Sequence, residues 1–191
     1  NNLMDTPYKN SLYGVLDCGG DGDCLFHCIS YALMENNKFN TNLKYEITDL
    51  RKIVAEAIDI KKFNEIINIY KILKDSNDFH EIWDPYNISY DDFILLITLG
   101  GNNYWADNII INILKEKLEI NIIILNSNSI TNEYNYYPLL YDYDEKLMSI
   151  ILLYENEMHF KLVGYFNNVM VTLFDNNNIP KELIKLINNL R

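Results

Sequence analysis

Three cysteines, at positions 18, 24 and 28, are too few and too tightly clustered to staple a small disulfide-built fold. Read with His27 they form a conceivable metal set. Zinc ligands, however, usually come as pairs from two separate segments, and all of these lie in one loop and helix start, so no metal or other cofactor is expected. No apolar run approaches the roughly 18 residues that span a bilayer, and no signal-peptide pattern opens the chain. It begins at Asn1 without Met, as a piece excised from a longer protein would. These absences lead to the expectation of an intracellular, cytoplasmic protein, in the host cytoplasm if the source is a virus or an intracellular bacterium. Basic charge is also scarce. Sixteen Lys and Arg against 27 Asp and Glu leave a net charge of −11, with the lysines scattered rather than stacked, which argues against nucleic acid as a partner. The acidity either serves solubility or suits a partner with basic patches. Repeated Asn pairs and a richness in Ile, Lys and Tyr suggest an AT-rich coding sequence, as in a virus, a protist or an intracellular bacterium.

What the chain does have is enough apolar residue for a sizeable core: 49% hydrophobic and 23% charged over 191 residues, with no internal repeat and no dividing linker. One domain over 1–191 is expected, its core at about 13–166 and a last strand and helix, 167–191, packed on it; a monomer is the simplest state. Helical periodicity covers roughly 24–35, then Ile47, Leu50, Ile53, Val54, Ala57 and Ile58, then Phe63, Ile66, Ile67, Tyr70 and Leu73. Ser89 and Asp92 form a capping box for a helix that ends at Gly100-Gly101. Apolar runs near 120–125, 134–141, 147–154, 158–166 and 169–174 build a sheet late in the chain, and Pro180 opens a final amphipathic helix. Residues 126–137, with Tyr134, Tyr136 and Tyr137, read either as a substrate-gripping surface loop or as one face of an edge strand. The class is α/β or α+β.

Chemistry concentrates in Gly20-Asp21-Gly22-Asp23-Cys24-Leu25-Phe26-His27-Cys28. A glycine-bearing turn feeds a cysteine straight into an apolar helix, where unpaired backbone N–H groups and the helix dipole favour thiolate. The two glycines flanking Asp21 are expected to supply positive φ and free amides for an oxyanion. A buried packing cysteine is the plainer reading of Cys24 alone, so a catalytic role requires a base. His27, three residues on, aims along the helix flank, and His80 sits in a polar stretch as a solvated residue. His159 differs, because Leu147–Tyr154, a short polar link and Phe160–Phe166 read as a β-hairpin with the histidine at its mouth.

These residues resemble the ovarian-tumour (OTU) cysteine proteases, mostly deubiquitinases. Asp21-Gly22-Asp23-Cys24-Leu25-Phe26 matches the family's first signature, and His159-Phe160 its last. Tyr104-Trp105-Ala106-Asp107, opening a helix before the strand Ile120–Leu125, looks like its middle element. The resemblance covers about 13–166. It implies a papain-like OTU fold, a central sheet built mainly from the C-terminal half and flanked by helices. It also implies Cys24 as nucleophile, His159 as base, and Asp21 with Gly22 and Asp23 shaping the oxyanion loop. Tyr104 and Trp105 would line a narrow channel for the Gly-Gly tail, though Trp105 reads equally as plain core. The implied partner is ubiquitin or polyubiquitin, and the implied reaction hydrolysis of the isopeptide bond at ubiquitin's C-terminal glycine. Two alternatives stand beside it, a ubiquitin-binding pseudo-protease and a protease for a ubiquitin-like modifier.

One departure favours the pseudo-protease. Many members carry Asp or Asn two residues after the histidine, on the same strand face, to orient the imidazole. Here that residue is Lys161, which has no acceptor to offer. Either an upstream acid such as Asp17 or Asp5 takes the role or the site runs on a Cys/His pair.

Overall fold

The computed structural model describes residues 13–35, 45–126, 143–156 and 158–189. Its first strand, β1 (Tyr13–Leu16), leads through a 3-10 turn at Asp21–Asp23 into α1 (Cys24–Glu35). Helices α2 (Ile47–Glu56), α3 (Ile60–Asp75), α4 (Tyr90–Leu99) and α5 (Asn108–Leu118) follow. Strands β2 (Asn121–Asn126), β3 (Ser149–Glu155), β4 (His159–Asn167) and β5 (Val169–Val171) precede α6 (Lys181–Asn189). The expected helices and late strands are present. The expected run at 134–141, with its tyrosines, and Asp5 lie outside the described residues.

Capping fixes several helix starts. Asp59 accepts the Lys62 N–H, Ser89 accepts that of Asp92 and Asp107 accepts those of Ile109 and Ile110. At the far end of α4, Gly100 takes φ 76°, a left-handed conformation that a side chain would resist.

The sheet runs β1-β4-β3-β2, with β5 also pairing β4. β2 and β3 are parallel, and the other pairs antiparallel. β1 is the element that periodicity does not announce; four half-buried residues carry too little pattern to read.

Alternation along the strands explains why β2 and β3 are apolar at every step. Ile122, Ile124, Ile150 and Leu152 face a core shared with α1, α2 and α5. Ile123, Leu125, Ile151 and Leu153 face a second core with Phe174, Ile179, Leu183 and Ile187, so that α6 covers the other face. α1 is the central helix, with Leu25, Phe26, Cys28, Ile29 and Ala32 all at 0% exposure. Burying it beside β4 brings Cys24 to the residue that follows His159. The mixed sheet with helices on both faces is the α/β class expected.

Candidate active site

Cys24 is the first residue of α1, entered from the 3-10 turn, and its own N–H bonds the Asp21 carbonyl. The positive φ of the turn falls on Asp21 itself, at 58°, and not on Gly20, at −110°. Gly22 serves close approach instead. It is buried, and a Cβ there would overlap the carbonyl oxygen of Gly101. The side chain of Asp21 is exposed. Asp23 is the carboxylate that pins the loop, its Oδ2 accepting the Gly101 N–H at 3.0 Å and its Oδ1 the Arg51 Nε–H at 2.7 Å.

Arg51 is the functional residue that the sequence reading missed. It is 1% exposed, donates to the carbonyls of Ile97 (3.0 Å), Gly22 and Tyr104 (3.2 Å each), and lies 4.3 Å over the Phe26 ring. One guanidinium thus ties the Asp21–Asp23 turn to the 100–104 loop. Its signal was an arginine at a core position of α2, in step with Leu50, Val54 and Ala55.

The Cys24 thiol is 3% exposed, and its pKa is raised above the ordinary value. Burial is the main cause; backbone hydrogen bonds from Phe160, Leu25 and Cys24 pull it down, and the Asp17 charge pushes it up. The thiolate preference expected from a helix N-terminus is therefore outweighed by desolvation. Phe160 directly follows His159, so Cys24 lies against the backbone next to the histidine.

His159 Nε2 lies 3.1 Å from Asp17 Oδ1. The register makes this possible, because Leu16 pairs Leu162 and the residue after β1 comes alongside the start of β4. Lys161 is occupied elsewhere, its Nζ 2.7 Å from Glu155 Oε2. Neither of the other histidines joins this pair. His27 packs its ring against Gly19, and His80 is exposed at the rim of a cavity. Cys28 donates its S–H to the Phe160 carbonyl at 3.6 Å and Cys18 to the Leu16 carbonyl at 3.8 Å, both free thiols.

That cavity, of about 520 Å³, is lined by Cys24 together with Tyr154, Met158, Phe160, Phe79, Glu81 and Trp105. The two channel candidates part company here. Trp105 lines the cavity, but Tyr104 is 0% exposed, its ring enclosed by Tyr70, Trp83 and Phe93. Tyr104 therefore cannot meet a substrate; it supports the site through its carbonyl on Arg51 and its hydroxyl on Tyr70. Tyr70 in turn donates to Asp107 Oδ2 at 2.5 Å, and burial raises the pKa of all three groups. Among the described residues no helix is long and apolar enough to cross a membrane.

Comparison with known proteins places this geometry. A model of the OTU-like cysteine proteases matches residues 19–160. A protein of Tipula iridescent virus, named as a ubiquitin thioesterase, is 31% identical over 134 residues, which are 67% of this chain and 14% of that protein's length. The solved OTU domain in complex with ubiquitin shares the fold at a TM-score of 0.51 and 19% identity, over 93% of this chain and 86% of its own. An OTU deubiquitinase from Wolbachia pipientis does so at 0.51 and 18%, over 94% and 98%.

Proposed function

This chain belongs to the OTU-like cysteine proteases, which are thiol-dependent hydrolases, and we propose that the bond it hydrolyses is the isopeptide bond at the C-terminal glycine of ubiquitin. The observation that carries a working catalyst over a pseudo-protease is the His159–Asp17 contact at 3.1 Å. It supplies the acceptor that Lys161 does not.

In this reading Asp17 holds Nε2 of His159 and leaves Nδ1 to take the proton of Cys24. The thiol rests largely protonated because it is buried, and becomes nucleophilic as the proton moves to the imidazole. The thiolate adds to the glycine carbonyl. Amides of the Asp21–Asp23 turn, held by Asp23 and Arg51, meet the developing oxyanion. Protonated His159 then gives its proton to the departing lysine amine. Water, deprotonated by the same imidazole, releases the glycine carboxylate and restores the thiol. The cavity wall of Trp105, Phe79 and Phe160 favours a slender tail ending in Gly-Gly.

The test is cleavage of ubiquitin carrying a C-terminal, amide-linked fluorophore. Wild type releases the dye and Cys24→Ala does not. Turnover that survives Cys24→Ala would remove the nucleophile, and a well-folded wild type that binds ubiquitin without turnover would favour the pseudo-protease.

A further inference from the structure

The stretch Asp78-Phe79-His80-Glu81 follows α3 and reads in sequence as a polar loop, yet all four residues line the cavity that holds Cys24. The chemistry of that cavity suits a cation. Phe79, Trp105, Tyr154 and Phe160 give it an aromatic wall, and the carboxylates of Asp78, Glu81 and Asp107 add negative charge. Among the described residues no lysine or arginine lines it, and His80 is its one basic group.

Two of the three carboxylates are already engaged. Oε1 of Glu81 accepts the backbone N–H of Trp105 at 3.0 Å. Asp107 accepts the N–H groups of Ile109 and Ile110 on Oδ1 and the Tyr70 hydroxyl on Oδ2, at 2.5 Å. Burial also raises the pKa of both, that of Glu81 to about 7, which thins the negative charge they offer. Asp78 differs. It is exposed while lining the cavity, and among the described residues no hydrogen bond or ion pair engages its carboxylate.

Resting on the protease reading above, we propose that Asp78 is a specificity-determining residue: its carboxylate takes the guanidinium of the arginine that stands immediately before Gly-Gly in ubiquitin's tail. The dimensions of the tail allow it. With the last glycine's carbonyl at Cys24, an extended Gly-Gly puts the preceding residue about 7 Å away, and the arginine side chain reaches further along the same cavity. A guanidinium offers a fork of N–H donors to the free carboxylate and a flat face to an aromatic wall. A ubiquitin-like modifier with a neutral residue at that position forgoes the pair, so Asp78 sorts tails that end in Arg-Gly-Gly from those that do not.

The test compares ubiquitin carrying a C-terminal, amide-linked fluorophore in its native form and with the arginine before Gly-Gly replaced by alanine or by aspartate. Asp78 is exposed, so substitution there leaves packing intact. Wild type is expected to show a KM about fivefold lower for the native tail than for the alanine tail, the scale of an ion pair open to solvent, with kcat within about twofold. The difference shrinks as salt is raised. In Asp78→Asn the two tails give equal KM. Asp78→Arg reverses the order, taking the aspartate tail at lower KM than the native one, a rescue that a merely structural role does not produce. Equal KM for native and alanine tails in wild type, a preference for arginine that survives in Asp78→Asn, or no reversal in Asp78→Arg overturns the proposal. A wild type that cleaves no ubiquitin counts against the function proposed above. Calorimetric affinities of the native and alanine-tailed ubiquitins, without fluorophore, for wild type and Asp78→Asn then decide for Asp78 by the same ordering, and equal or undetectable binding decides against it.

Discussion

Nε2 of His159 stands 3.1 Å from Oδ1 of Asp17, across 142 positions of sequence. The contact replaces an orienting residue two positions along β4 with one from the exit of β1. Asp17 is more than half exposed, so its loss leaves packing intact but frees the imidazole to rotate. Asp17→Ala is expected to lower kcat by about 100-fold, the scale of a misplaced catalytic group, with an unchanged melting point. Equal turnover of wild type and variant would show that His159 needs no acid.

Lys161 follows from the same geometry. Its ammonium is engaged by Glu155 at 2.7 Å, on the strand neighbouring β4. Lys161→Asn should leave turnover unchanged and cost at most about 1 kcal/mol, as part-exposed ion pairs do. A several-fold gain in kcat would mean that Asp17 orients His159 poorly and that the asparagine improves on it.

Arg51 ties the turn before Cys24 to the loop after α4. Replacing it with Met keeps the volume but leaves Asp23 without its cation and three carbonyls without a donor. Breaking a buried pair in this way costs roughly 3–5 kcal/mol, or a melting point lower by about 6–20 °C in a protein of this size. Turnover should fall further than the folded fraction does, because the turn bearing the oxyanion amides loses its tie. Retained activity at a temperature where the variant is folded would show that the turn holds without Arg51.

Burial of the Cys24 thiol carries a pH signature. Its pKa is raised, so as pH rises the thiolate forms later than it does for an exposed cysteine. In His159→Ala, where no imidazole can take the proton, iodoacetamide alkylation of Cys24 should keep accelerating beyond pH 9. The variant should also lose about 10²- to 10⁴-fold in turnover, as for a general base. A plateau in alkylation below pH 8 would place the thiolate among stronger stabilising groups than the Phe160, Leu25 and Cys24 amides.

Much of this fold was legible because periodicity is a strong signal over long elements. The helices around Leu50, Phe63 and Phe93 and the hairpin whose second strand opens at His159 all follow from spacing and capping residues. β1 was not legible, and with it went the choice of Asp17 over Asp5, since pairing between residues 13–16 and 162–165 is a long-range fact that four residues do not encode locally. Cys24 and His159 stand out as candidates from their local context. Arg51 does not, because a buried charge looks like a surface charge until the carbonyls that receive it are assembled. The turn at Asp21–Asp23 was expected to use glycine for left-handed backbone. It uses Asp21 for that and Gly22 to let Gly101 approach.

The central claim is that Cys24 is the nucleophile of a ubiquitin-tail protease. Ubiquitin bearing a C-terminal thiol-reactive group tests it most directly, with the modified residue located by peptide mass. Wild type, Cys18→Ala and Cys28→Ala should each form a covalent adduct at Cys24, and Cys24→Ala should form none. An adduct that persists in Cys24→Ala, or that maps to Cys18 or Cys28, would contradict the account.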